Sequence, residues 1–407
     1  MPKSSGSIFN ITVLVAALGY FVDIYDLLLF QIVRVESLKD MGFTTALVKS
    51  EGEFIISVQM IGLLVGGIIW GVMGDKKGRL SVLFGSIVLY SVANIINGFV
   101  QTPNQYALTR FFAGIGLAGE LGAGITLVSE LVSKEKRGLS TAFVAGIGIT
   151  GAVAAYFISR NFNWRTCYFI GGGLGFCLLL LRISVFESGM FSKLKQQNVQ
   201  RGNFFMFFTN RHRFKKYILA ILIGLPTWYV IGILVAFSND FAAAFGFSEE
   251  VLPKKATMYA YLSIAGADVL AGLVSQWLRS RKKTLFIFYI LTIISMIFYF
   301  TQQNGTAAGM YVICAALGFS TGFWAIFVTI AAEQFGTNLR ATAATTVPNM
   351  VRGALPLLFL LFKGFQSLTG NYITAGWITG SIVMVISLVA AWFTEETFGK
   401  DLNYVEN

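Results

Sequence analysis

The chain has 407 residues, of which 55% are apolar, 15% aromatic and only 13% charged, where a soluble protein carries about 25% charged residues. With a mean hydropathy of +0.69 and apolar residues gathered in blocks of about 20, the composition excludes an ordinary soluble enzyme and predicts an all-α polytopic membrane protein. The net charge of +11 lies in short runs between the apolar blocks, a pattern of membrane-helix flanks rather than of nucleic-acid binding, so no nucleic acid is expected as a partner.

At about 20 residues per crossing, twelve transmembrane helices are predicted, near 8–33, 54–74, 80–100, 105–131, 140–159, 167–186, 216–242, 256–278, 284–302, 306–332, 342–366 and 371–393. The first follows a short leader without an A-x-A cleavage pattern and is read as a helix that stays. The connections after even-numbered spans carry Lys76, Lys77 and Arg79, then Arg211, Arg213, Lys215 and Lys216, then Arg279, Arg281, Lys282 and Lys283. The opposite loops carry fewer basic residues, so both termini are expected in the cytoplasm. The longest polar stretch divides the chain into an N-terminal six-helix bundle (1–186), a cytoplasmic linker (187–215), a C-terminal six-helix bundle (216–394) and a cytoplasmic tail (395–407). Cys167, Cys177 and Cys314 all fall inside apolar blocks, which suggests small core residues rather than a disulfide or metal framework. Neither a cofactor nor a metal site is expected.

The two halves echo one another. Gly71 to Arg79 after span two has a weaker copy in Gly272 to Arg281 after span eight; Glu130 with Arg137 recurs as Glu333 with Arg340; Glu187-Ser188 recurs as Glu396-Thr397. Three pairs at offsets of about 200 residues point to a duplicated six-helix unit. The Gly71 to Arg79 segment resembles the G-x-x-x-D-[RK]-x-G-[RK] loop of the major facilitator superfamily (MFS). Arg110, Gly114, Gly116, Glu130 and Arg137-Gly138 resemble its sugar porter and metabolite:proton symporter branch. Gly19 to Asp26 is similar to the first-helix pattern of the metabolite:proton symporters. The resemblance implies two pseudo-symmetric bundles, alternating access and proton coupling, with Asp26 and Arg110 matching the coupling acid and its arginine. Departures are a missing Asp at Gln276, two missing prolines around Glu187, and no paired glutamines near Pro226, which argues against a hexose.

Ionisable residues at membrane depth are functional candidates because burying an unpaired charge is costly. These are Asp23, Asp26, Arg110, Glu120, Asp268 and Arg352. Asp26 and Arg110 lie at similar depth and form the first expected pair, with a static ion pair as the structural alternative. Asp23, one turn earlier, is expected to share a proton with Asp26, and carboxyls left without a basic partner are expected to be held partly protonated by desolvation. Arg352, following Pro348-Asn349, suits a carboxylate, the alternative being an arginine that reaches for the membrane edge. Glu120, Asp268, Asn349, Trp228, Tyr229 and Trp324 complete the expected substrate-binding set. Asp75, Arg79, Glu130, Arg137, Glu333 and Arg340 are expected to latch the cytoplasmic side, Asp75 through a helix N-terminus and arginines such as Arg79 or Arg137, and each glutamate through the arginine seven positions on.

The function expected from these features is secondary active transport by proton-coupled symport of a small organic acid or related metabolite. A carrier for a cationic solute or metal is the alternative, and a receptor or membrane enzyme a remote one. The expected partners are a small-molecule substrate, protons and the lipid bilayer. A monomer in a bacterial inner membrane is expected.

Overall fold

The computed structural model describes residues 11–131, 140, 143–144, 146–182, 203–400 and 404–406. Among the described residues the chain is helical and contains no strand. The first half holds α1 (Ile11–Asp40), α2 (Thr45–Lys77), α3 (Arg79–Asn97), α4 (Pro103–Leu117), α5 (Glu120–Leu131), α6 (Gly151–Asn161) and α7 (Trp164–Leu181). The second holds α8 (Arg211–Tyr229), a π-helical stretch (Val230–Val235), α9 (Ser238–Ala244), α10 (Pro253–Trp277), α11 (Arg281–Phe300), α12 (Ala307–Ser320), α13 (Trp324–Glu333), α14 (Arg340–Gly353), α15 (Leu355–Thr369) and α16 (Tyr372–Phe393). Among the described residues ten helical segments are long and apolar enough to cross a bilayer; α4 with α5, and the segment ending in α6, stand at the fourth and fifth of the twelve places. The protein is an integral membrane protein built as two six-helix bundles.

Polar residues start the helices. Asn163 Oδ1 accepts from Thr166 N at 2.9 Å, Asn210 Oδ1 from His212 N at 2.8 Å and Asn371 Oδ1 from Thr374 N at 2.9 Å. Each supplies an acceptor that the first turn of its helix lacks. The first span runs past its predicted end to Asp40 because Arg34, Glu36 and Lys39 continue the helix beyond the apolar block.

Among the described residues several predicted spans, including four, seven, ten and eleven, are not continuous α-helices, and each freed backbone group at membrane depth needs a new partner. Span four breaks at Ala118-Gly119, and the Ala118 carbonyl accepts from Asn349 Nδ2 of the other bundle at 2.8 Å. In span seven Pro226 has no N–H for the Leu222 carbonyl, which accepts from Ser387 Oγ instead at 2.8 Å. Span ten breaks before Trp324, and Asp268 Oδ1 takes the amide of Ala325 at 3.0 Å. Span eleven breaks at Ala354, between α14 and α15.

The bundles meet chiefly along α2 and α14. A Cβ on Gly67 would lie 2.7 Å from the Asn349 Cβ, so only glycine lets the two helices approach this closely. At the end of this seam Asp75 accepts from Thr342 N at 2.8 Å, Thr342 Oγ1 at 2.6 Å and Ala341 N at 3.3 Å, capping the start of α14. At the opposite end the bundles are joined by charged pairs: Lys49 with Asp240 at 3.8 Å, Lys254 with Glu36, and Lys363 with Glu53.

Candidate translocation site

Between the two closures, α1 lines two cavities. Tyr20, Ile24 and Leu27 border a central cavity of about 20 Å³; Gln31 and Arg34 border an outer one of about 530 Å³. These positions recur at three- and four-residue intervals, which places them on one side of the helix. The central space is of the order of one water molecule, so its walls must part to admit a solute.

The wall facing α1 is built from the second bundle. Thr227, Trp228, Tyr261, Trp324 and Arg352 all border the central cavity. The Arg352 guanidinium carbon lies 5.9 Å from the Trp228 ring centre and 5.6 Å from that of Trp324, within range of cation–π attraction. Its Nη1 donates to Asn349 Oδ1 at 3.1 Å, while Nε has no partner and Nη2 makes no hydrogen bond among the described residues. The edge of the guanidinium that receives a carboxylate through two parallel bonds is therefore uncommitted. Asn349 is not itself on the cavity wall. It positions Arg352 from one side and, through Nδ2, ties it to the broken fourth span.

The expected pair of Asp26 and Arg110 is present and fully buried. Arg110 Nη1 donates to Asp26 Oδ1 at 2.9 Å and Asn94 Oδ1 at 3.0 Å, Nη2 to the Asp26 carbonyl at 3.0 Å and Nε to Gln59 Oε1 at 3.3 Å. Asp23 is different: it is 0% exposed and neither carboxyl oxygen has a hydrogen-bond donor. It interacts electrostatically with Arg352 across the bundle interface, and with Glu120, Asp26 and Arg182.

Three of the expected substrate-binding residues are engaged elsewhere. Glu120 accepts from Arg182 Nη2 at 2.5 Å and Nη1 at 3.0 Å, and from Ser86 Oγ at 2.7 Å. Arg182 reaches this carboxylate past Gly19, where a Cβ would lie 2.1 Å from Nη2. The sequence reading missed Arg182 because it ends a predicted span, where a basic residue is ordinary. Asp268 serves as the cap of α13, placing Trp324 at the cavity. Tyr229 donates its hydroxyl to the Gly376 carbonyl at 2.6 Å, inside the second bundle.

Of the expected latch, Asp75 takes the helix-terminus partner described above. Glu333 pairs with Arg281 at 3.3 Å rather than with Arg340 as the spacing suggested, because α13 brings it alongside the start of α11. Arg340 is buried at the first turn of α14. Arg137 and the side chains of Arg79 and Glu130 lie outside the described residues.

A two-bundle helical membrane protein with a charged site on the bundle interface and a closure at each end is a transporter in class. Residues 6–359 match the family model of the Major Facilitator Superfamily, and the chain belongs to that family. Among its relatives is the niacin transporter NiaP of Acinetobacter baylyi, 25% identical over 98% of this chain and 96% of that one. Another is a gentisate transporter of Corynebacterium glutamicum, 23% identical over 94% of this chain and 88% of that one. The fold matches a solved structure of the proton:xylose symporter XylE with a TM-score of 0.75, at 17% identity and 98% coverage of both chains. The chain is a membrane transporter and not an enzyme.

Proposed function

We propose that the protein carries a small aromatic or heteroaromatic monocarboxylate together with a proton, by alternating access across a bacterial inner membrane. The observation that carries this reading is two charged residues left without a full set of partners: Arg352, flanked by Trp228 and Trp324 with its carboxylate-binding edge uncommitted, and Asp23, buried with no donor. The other acids predicted at membrane depth, Asp26, Glu120 and Asp268, are taken up by Arg110, Arg182 or a helix terminus. The acid excess that favoured a cationic solute is thereby largely absorbed.

Coupling follows from electrostatics. Without solute, the Arg352 guanidinium attracts negative charge on Asp23 through a medium of low dielectric. A solute carboxylate on Arg352 cancels that attraction and adds a second negative charge, so Asp23 takes up a proton as the anion binds. One anion and one proton then move together, with the Trp228 and Trp324 rings packing the body of the solute. Asp26 on α1 and Arg110 on α4 form a second buried switch that changes partners as the bundles rock. The bundles comprise 1–186 and 216–394, joined by the 187–215 linker, with the tail at 395–407. The Asp75 end faces the cytoplasm with both termini, the outer cavity faces the outside, and the functional unit is a monomer. Relatives named for niacin and gentisate transport support a ring-bearing carboxylate as the solute.

The test is internal pH in proteoliposomes while a panel of aromatic and aliphatic carboxylates, amino acids, sugars, amines and divalent metals is added outside. Proton entry with an aromatic carboxylate, lost in Asp23→Asn and Arg352→Gln, is the expected result. Proton exit driven by an amine or a metal, or entry driven by a sugar, overturns the reading.

A further inference from the structure

The outer cavity, about 530 Å³ and bordered by both bundles, has a buried cation of its own. Arg34 is 2% exposed. Its Nη2 donates to the Ala236 carbonyl at 3.2 Å and its guanidinium lies 4.3 Å from the Phe237 ring centre, but Nε and Nη1 have no partner. Gln31, 5% exposed and one turn earlier on the same face of α1, has neither amide atom satisfied. Leaving such groups without partners is costly in a buried setting.

Asp240 and Glu53 act on Arg34 electrostatically, but no described residue hydrogen-bonds its Nε or Nη1. Asp240 is held by Lys49, Glu36 by Lys254, and Glu53 by Lys363. Glu249 accepts from the amide of Ala307 at 2.7 Å, at the start of α12. The lining also includes Lys39 and Glu250, but the Arg34 guanidinium and the Gln31 amide are the buried groups with donors unused, in a vestibule large enough for a single-ring solute. Leu27, Ile24 and Tyr20 of the central cavity continue the same face of α1.

We propose that Arg34 and Gln31 form a reception site for the carboxylate of the incoming solute, one carboxyl oxygen on Arg34 Nη1 and the other on Gln31 Nε2. The anion docks there first, then passes along the α1 face to Arg352 when the outer closure forms behind it. This site rests on the carboxylate reading above and extends it. It also makes the solute's own charge compete for the region that the lysine–carboxylate pairs hold shut.

Benzoate, observed by saturation-transfer NMR on the full chain in lipid nanodiscs, separates the two sites. The expected result is that Arg352→Gln keeps a weak benzoate signal, and that adding Arg34→Gln to it weakens binding about tenfold, the effect of losing one hydrogen bond to a charged group. Gln31→Leu in the Arg352→Gln background reduces the signal in the same direction, and Arg34→Lys restores part of it. Thermal unfolding of each variant identifies any that fail to fold, and Gln31→Leu, which keeps every charge, stands in for Arg34→Gln if that one does. A signal present in wild type and wholly lost in Arg352→Gln overturns the outer site and leaves the transport reading intact. A signal unchanged by Arg34→Gln and Gln31→Leu overturns the outer site as well. Wild type that binds no benzoate while proton entry follows another carboxylate overturns the aromatic specificity at both sites.

Discussion

Arg352 is where a single atom's chemistry decides most. A lysine there keeps the charge but has no planar fork, so it loses one of two parallel bonds to a carboxylate. Losing a hydrogen bond to a charged group costs about 1.5–3 kcal/mol, so Arg352→Lys is expected to lower kcat/KM for uptake by about 10- to 100-fold, measured by radiolabelled uptake into proteoliposomes. The buried Glu120 and Arg182 pair, at 1% and 2% side-chain exposure, has a structural role away from the cavity. Breaking it with Arg182→Met strands a carboxylate and is expected to destabilise the first bundle by about 3–5 kcal/mol, whereas Glu120→Gln with Arg182→Met recovers most of that. Thermal unfolding in detergent checks both. These two arginines also show what composition conceals. Arg352 stands out in sequence because it interrupts an apolar span, while Arg182 looks like an ordinary flank residue until α7 folds beside α3 and Gly19 clears its path.

Helices were legible where a long apolar block alone sets the structure, which is why the spans stand close to where hydropathy puts them. Breaks within spans were not. Ala118-Gly119 and the turn before Trp324 are stabilised by Asn349 and Asp268 from other segments, and no local signal announces partners more than 50 positions away. The same holds for Glu396 at the exit of α16, which appeared in sequence only as a repeat marker. Burial works against its charge, but hydrogen bonds from Ser280 Oγ and from the amides of Phe398, Arg281 and Lys282 outweigh it and hold the carboxyl below its ordinary value of 4.5. A lowered value means that the ionised form is favoured by folding, so its stabilisation is fully present above the ordinary glutamate range and is lost as pH falls through the lowered value. The difference in melting temperature between wild type and Glu396→Gln is expected to be constant near neutral pH and to vanish on acidification, with wild type the more stable by about 1 kcal/mol at pH 7.

Across the whole molecule the two closures differ in kind. The end with Asp75 is shut by a glycine-lined seam and by a carboxylate that caps α14 in a fully buried setting, so opening it strips a helix start of its acceptors. The opposite end is held by lysine–carboxylate pairs with side chains up to 54% exposed, and such pairs are worth about 0–1 kcal/mol each and weaken with salt. The lysine–carboxylate end should therefore open first, and Asp75→Asn should shift the balance by weakening the opposite end alone. Spin labels on Lys76→Cys and Glu395→Cys, in a background free of other cysteines, read the separation of the bundles at the Asp75 end. Wild type is expected to give one short distance that salt does not change. Asp75→Asn should add a longer population, and Gly67→Leu, which forces α2 away from Asn349, should make that population dominant. A short distance in both variants would mean that packing elsewhere on α2 and α14 closes this end, and that Asp75 does not set which side of the membrane the site faces.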